Sequence, residues 1–370
     1  MKHFSGRFAN KTVVVTGHTG FKGAWLTLWL KNLGARVVGI SLDIPTSPSH
    51  FEAAGLDQVC ESHFADIRDR DGVQNLFRKI QPDFVFHLAA QALVRKSYDD
   101  PIKTFETNTL GTLNVLEALR NLSAPTTAVL ITSDKAYENV EMLHGYRESD
   151  RLGGKDPYSA SKGAAELIIS GFHRSFFLSP ETGVRVAVAR AGNVIGGGDW
   201  AADRLIPDAI RAWTSERTLS IRAPLATRPW QHVLEPLSGY LLLASELSVR
   251  NELMGEPFNF GPHAEDLATV GEVIKNFGKT LGNLNVMELK DNPADRFAEA
   301  GLLKLSCDKA LSRLCWRPVL KLSEALSLTA NWYQKFYAEP EGTNQLSEIQ
   351  LMHYCSLAKE RNLIWYDRSE

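Results

Sequence analysis

The chain has 370 residues, of which 44% are hydrophobic and 23% charged, and its 41 Lys and Arg against 43 Asp and Glu leave a formal charge of −2. At roughly 150 residues per domain this is about two domains, or one large α/β unit with an added lobe, and so ordinary a composition excludes a disordered, collagen-like or disulfide-built chain. The balanced charge gives no basic field for nucleic acid or an anionic membrane, residues 1–10 carry no secretory signal, and no run approaches the ~18 apolar residues of a membrane span, so a cytoplasmic protein is expected.

In chain order, β-branched bursts at 12–16, 36–40, 84–88, 128–132 and 184–189 read as fully buried parallel strands. Helical patterns lie between them; the first, at 24–33, stops at Gly34, where glycine can take the left-handed conformation after a last turn. Strand, helix and strand in series predict a Rossmann-type doubly wound parallel sheet spanning about 1–192. From Asn193 onward Gly- and Pro-containing loops predict a smaller α/β substrate lobe over 193–338, with a segment such as 257–261 returning to the main sheet. Residues 339–370 read as a packed amphipathic tail. Cys60, Cys307, Cys315 and Cys355 form no Cys-x-x-Cys pair and no Cys/His metal spacing, so they are expected to be reduced structural thiols, and no metal site is expected.

The first strand runs into Thr16-Gly17-His18-Thr19-Gly20-Phe21-Lys22-Gly23 and then a helix. Glycines in this place allow a tight turn and let backbone N–H groups approach a pyrophosphate at the helix N-terminus. The Gly-x-x-Gly-x-x-Gly spacing differs from the usual dinucleotide loop by one residue in its first gap, and an ordinary strand-to-helix turn is the bland alternative. Asp43, about 20 residues beyond Gly23 at the close of the second strand, can accept from both adenosine ribose hydroxyls and would repel a 2′-phosphate, which favours NAD over NADP. Asp66 and Ile67 are expected beside the adenine, and Leu88, Ala89 and Ala90 near the pyrophosphate. Arg36 reads as a surface charge and Lys22 as a solvated or helix-end charge.

Tyr158 and Lys162 stand four apart in Asp156-Pro157-Tyr158-Ser159-Ala160-Ser161-Lys162, where Asp156 can cap a helix and Pro157 can open it, so both side chains share one helix face. A phenol of pKa near 10 is a weak base at neutral pH, and a neighbouring ammonium with a cationic nicotinamide would favour its anion. The bland alternative is a helix surface pair.

Gly17, Gly20 and Gly23, Asp43, Asn108 within Asn108-Thr109-Leu110-Gly111-Thr112, and the Tyr158/Lys162 pair together resemble the extended short-chain dehydrogenase/reductase family over most of the chain. The resemblance implies NAD held by the loop from Gly17 to Gly23, His18, Thr19 and Phe21 included, and by Asn108, Tyr158 and Lys162. It also implies a nucleotide sugar in the C-terminal lobe and Ser133 as hydroxyl partner of Tyr158. The family's subunits commonly join two helices each into a four-helix bundle, so a homodimer or homotetramer through the helices near 111–119 and 158–172 is implied.

Two sugar chemistries use such a framework. Oxidation at C4 with re-reduction is epimerisation; oxidation at C4 followed by loss of water across C5 and C6 is dehydration, which further needs a C5 base and an acid for the departing C6 hydroxyl. Ser133-Asp134-Lys135 and Arg228-Pro229-Trp230-Gln231-His232-Val233 resemble the dehydrating branch. By that resemblance Asp134 is the C6 acid, Arg228 meets the sugar nucleotide's diphosphate and Asn193 touches substrate; Arg296, in Asp295-Arg296-Phe297, is read as a second phosphate contact. A turn asparagine and a surface arginine are the alternatives for Asn193 and Arg296. Relatives acting on dTDP-sugars carry Glu where this chain has Lys135, while relatives acting on CDP-sugars share the lysine. A protonated lysine cannot abstract a proton, so Lys135 serves as C5 base only if burial or a neighbouring cation depresses its pKa. A nucleotide-sugar epimerase and a non-catalytic NAD-binding module are the competing readings.

Overall fold

A computed structural model describes residues 3–179, 182–263, 265–282, 284–288, 301–339 and 342–366. Seven parallel strands form the central sheet: β1 (Thr12–Thr16), β2 (Arg36–Ser41), β3 (Glu61–Phe64), β4 (Phe84–His87), β5 (Thr126–Ile131), β6 (Val184–Ala191) and β7 (Pro257–Phe260), in spatial order β7-β6-β5-β4-β1-β2-β3. The apolar bursts bury both faces of the inner strands; Val14, for example, pairs with Val38 on one side and Val85 on the other. The order reverses between β1 and β4, the switch point at which such sheets open a crevice beyond their carboxyl ends. The expected doubly wound Rossmann sheet is the fold observed.

Helices α1 (Phe21–Asn32), α2 (Arg70–Ile80), α3 (Val94–Asp99), α4 (Gly111–Arg120) and α5 (Pro157–Phe172) make the crossovers and walls of this half. Gly34 has φ +82, as a left-handed stop to α1 requires. Beyond β6 come α6 (Leu205–Thr214), α7 (Leu234–Leu247), α8 (Val270–Leu281), α9 (Leu322–Ala338) and α10 (Thr343–Glu360). The chain crosses back repeatedly: α7 packs against β5 and β6, and β7 extends the sheet beside β6. Small strand pairs, among them Thr227–Arg228 against Ala268–Thr269 and Gln231–His232 against Val194–Ile195, tie these later segments to one another and to the loop after β6. Among the described residues no helix is long and apolar enough to cross a membrane.

The amphipathic tail is α10, and it belongs to the core. Tyr354 packs on Trp29 and Trp365, and its hydroxyl donates to Glu235 Oε2 at 2.9 Å. Glu235, on α7, also accepts from the Val319 and Leu320 amides at 2.9 and 2.7 Å; burial raises its pKa to about 7 against the pull of these donors. A second anchor is the Gly197 carbonyl, which accepts from the Trp25 indole at 2.9 Å while Trp332 lies against the glycine. A Cβ on Gly197 would come 2.0 Å from Trp332 Cγ, inside a cluster of Trp200, Trp332, Tyr333 and Phe336. Gly197→Ala is therefore expected to destabilise by roughly 1–3 kcal/mol, the usual overpacking cost, read as a lower urea midpoint with an unchanged slope.

Candidate active site

The glycine loop closes on itself by backbone packing. Gly17, at φ +76, donates its N–H to Ile40 O at 2.7 Å, and a Cβ there would meet Ala89 N at 2.8 Å; a Cβ on Gly23 would lie 2.0 Å from Gly17 O. Gly20 is the N-cap of α1, and no side chain caps that helix. The first turn thus keeps its N–H end for a ligand, the arrangement that suits a diphosphate. Leu88, Ala89 and Ala90 run half-buried along the loop, and Asp43 stands exposed just beyond β2, with its carbonyl accepting from Thr19 Oγ1 at 2.6 Å. Phe21 opens α1 and lies near Gly196, where the later loops come down onto the crevice.

His18 faces inward. Its ring lies under β2, so close to Gly39 that a Cβ there would be 2.2 Å away, and bridges Ser41 Oγ (2.8 Å) and Ser62 Oγ (2.9 Å). Burial lowers its pKa to about 4, so at neutral pH it is an uncharged strut. Asp66 is gripped by Arg68 at 2.7 Å, which holds its carboxyl below the usual range, while Ile67 is buried against Gly111. Asn108 is likewise a structural tie: its amide donates to Gln91 O and Ser161 Oγ at 3.0 and 2.9 Å and accepts from Gln91 N at 2.7 Å. It thereby fixes the first turn of α5 and sets the catalytic helix without presenting a free amide proton of its own.

That helix starts as expected. Asp156 accepts from Ser159 N at 2.9 Å, Pro157 is in the first turn, and Ser97 Oγ on α3 accepts from Tyr158 N at 3.1 Å. Tyr158 and Lys162 project to the same buried face, 8% and 7% exposed. Burial raises the Tyr158 pKa and a hydrogen bond with Ser133 lowers it, with Asp134 opposing and the Arg204 guanidinium assisting. Burial likewise brings Lys162 down to about 8 while Glu166, one turn on, pulls it up; its Nζ donates to Ile131 O at 3.4 Å.

Beyond β5, Ser133 caps a short 3-10 turn, Asp134–Ala136, accepting from Lys135 N at 3.2 Å and donating to Asp134 Oδ1 at 3.0 Å. Asp134 Oδ2 is buried and, among the described residues, has no hydrogen-bond partner; it lies 3.1 Å from where a Cβ on Gly192 would stand. Pro229 occupies the other side of that glycine, which brings the segment starting at Arg228 to the same corner. Lys135 Nζ donates to Asn193 Oδ1 at 3.4 Å. Arg228 is buried and donates to Thr227 O at 2.8 Å; Arg296 lies outside the described residues.

Lys22 stands at the start of α1, a helix-end charge, but it is not a solvated one. Its ammonium reaches inward toward the Tyr240 hydroxyl (3.5 Å), and burial, then Arg204, lowers its pKa to about 7, with Asp134, Lys162 and Lys135 also in electrostatic range. Arg204, held by Asp199 at 3.1 Å, was likewise missed. The signal for Lys22 was its place inside the loop; Arg204 has none, since its approach depends on how the lobe folds back.

A family profile described as GDP-mannose 4,6 dehydratase matches residues 14–329. The chain is 48% identical to a CDP-glucose 4,6-dehydratase of Salmonella typhimurium over 349 residues, covering 94% of this chain and 96% of the relative. It is 27% identical to a dTDP-glucose 4,6-dehydratase of Haemophilus influenzae, covering 87% and 97%. Among solved structures, DesIV, a dTDP-glucose 4,6-dehydratase of Streptomyces venezuelae with NAD bound, superposes with TM-score 0.74 at 22% identity over 90% of this chain and 99% of that one.

Proposed function

Because the chain belongs to the GDP-mannose 4,6 dehydratase family of nucleotide-sugar enzymes, we propose that it converts CDP-D-glucose to CDP-4-dehydro-6-deoxy-D-glucose and water with NAD as resident cofactor. The similarity to the Salmonella enzyme supports both substrate and reaction. The observation that carries dehydration over epimerisation is the buried Asp134 Oδ2, without a hydrogen-bond partner among the described residues, near Ser133 and Tyr158. Inversion at C4 has no use for a carboxyl there, whereas a leaving C6 hydroxyl needs one.

The uncapped start of α1, the glycines that admit no Cβ and the exposed Asp43 fit NAD. Gly17 to Gly23 would hold its diphosphate, Asp43 its adenosine ribose, and Lys162 with Tyr158 its nicotinamide ribose. When bound, NAD stores two electrons and a proton from C4 and returns them to C6, so the reaction is redox-neutral. Tyr158 takes the C4 hydroxyl proton, with Ser133 bridging phenol and sugar. Lys135, steadied by Asn193, is assigned the C5 proton, made acidic by the C4 ketone, and takes it as the neutral amine, a form that a cationic nicotinamide ring beside it would favour. Asp134 protonates the departing C6 hydroxyl, and Arg228 binds the substrate diphosphate.

The test is to incubate the purified protein and NAD with CDP-, dTDP- and GDP-hexoses. A 4-keto-6-deoxy product from CDP-glucose, with no net reduced cofactor, is expected; C4 inversion without loss of water overturns the reading.

Pairing of subunits through α4 and α5 belongs to the same reading. Ile102 (71% exposed), Leu110 (51%) and Leu167 (66%) leave apolar surface there, and Pro101, Ile102, Phe105 and Leu110 line an apolar hollow. Leu110→Asp is expected to convert a dimer into monomers in light scattering.

A further inference from the structure

The ends of β5 and β6 and the catalytic helix are joined by one buried ion pair that the chemistry above does not use. Glu166 on α5 and Arg190 on β6 are 4% and 2% exposed. Arg190 Nε donates to Glu166 Oε1 and Oε2 at 2.8 and 2.9 Å, and its Nη2 adds a further bond to Oε2. Thr132, the residue before Ser133, donates its hydroxyl to Glu166 Oε1 at 2.6 Å. Arg190 Nη1 donates to the Tyr137 hydroxyl at 2.7 Å, and Tyr137, two residues beyond Lys135, donates to Asn259 Oδ1 at 2.8 Å. Four members of the network stand within a few residues of a group in the site, Thr132 beside Ser133, Tyr137 beyond Lys135, Glu166 one turn from Lys162 and Arg190 three residues before Asn193, while Arg190 Nη1 also donates to the Glu148 carbonyl at 3.3 Å and Asn259 lies away from the site.

We propose that Glu166 and Arg190, acting through Thr132 and Tyr137, are positioning residues that set the register of Ser133, Tyr158 and Lys162. The inference rests on the reading of Tyr158 as the group that takes the C4 proton. A buried ion pair is poor value as a stabiliser, since apolar side chains of similar volume often hold a fold as well. What apolar side chains cannot do is hold three separate chain ends at fixed hydrogen-bond distances, which near-attack geometry demands. Glu166 has a second effect, because its charge favours the Lys162 ammonium against burial, while Lys22 on α1 and His87 on β4 also face that ammonium. His87 is neutral at ordinary pH, its ring held between Thr16 and Thr112.

The experiment compares the full-length wild type with Thr132→Val and Thr132→Ser, which touch the network without leaving a charge unpaired, and with Glu166→Gln. Wild-type turnover of CDP-glucose is measured first; if that is absent, it is the functional reading that fails. Given turnover, Thr132→Val is expected to lower kcat about tenfold with KM changed less than about twofold, and Thr132→Ser to restore it. Glu166→Gln is expected to move the alkaline limb of the kcat profile to lower pH, because Lys162 then loses its proton more readily. Unaltered kcat in Thr132→Val overturns the proposal. So does a loss that matches a fall in folded fraction and that Thr132→Ser fails to rescue.

Discussion

Tyr158→Phe is expected to cut kcat for CDP-glucose by about 10²–10⁴, the range for removing a positioned general base, while leaving the fold in place. Phe fills the same slot on α5 and loses only the phenol oxygen, so the stability cost is expected to be small, on the order of 1 kcal/mol. The size of the catalytic loss follows from what else is at hand. Ser133 is already bonded to Asp134 Oδ1, and the Lys162 ammonium donates to the Ile131 carbonyl, so neither offers a free basic atom where the C4 hydroxyl would lie. Burial raises the phenol's pKa in the chain alone, and a cationic ring seated beside it would favour the anion. The measurement is initial-rate product formation together with a thermal midpoint. A variant retaining more than about a tenth of wild-type kcat would place the C4 proton transfer elsewhere.

What the amino-acid pattern could disclose was whatever local chemistry determines. The valine-rich β1 fixes a buried strand because nothing but a two-sided sheet interior accepts Thr12–Thr16. Asp156-Pro157 opens a helix by capping and fixed φ, and the four-residue spacing places Tyr158 and Lys162 together. Strand β3 was harder: Glu61-Ser62-His63-Phe64 is polar because it is the sheet's edge, and an edge strand need not carry an apolar burst. The direction of a side chain in a loop was harder still. His18 and Lys22 lie in the same glycine segment, and only the packing of Gly39 under one and of α7's Tyr240 near the other sends the imidazole into the sheet and the ammonium into the crevice. Asn108 matched a family position, yet its hydrogen bonds to Gln91 and Ser161 could be known only once α5 had been placed against its neighbour.

Asp134→Asn and Lys135→Met should separate the two halves of water loss. If Lys135 faces C5 and Asp134 faces C6, then in deuterated water Asp134→Asn still exchanges the C5 proton of recovered sugar while formation of the 6-deoxy product falls by about 10²–10⁴. Lys135→Met should instead lose exchange and product together, because no C6 departure can begin before C5 is deprotonated. The asparagine keeps the acceptor for Ser133 and the volume beside Gly192, so its defect is confined to the proton it cannot give. The methionine keeps the length of Lys135 and forfeits its bond to Asn193, which lies partly buried, so a modest structural cost is expected and a thermal midpoint accompanies the assay. Exchange that survives in Lys135→Met but vanishes in Asp134→Asn would interchange the two roles. Exchange surviving in both would give the C5 proton to a third group, and Lys22 is placed to be it: half-buried, aimed into the same crevice, and lowered to about 7 by burial. Lys22→Met would then abolish exchange by itself.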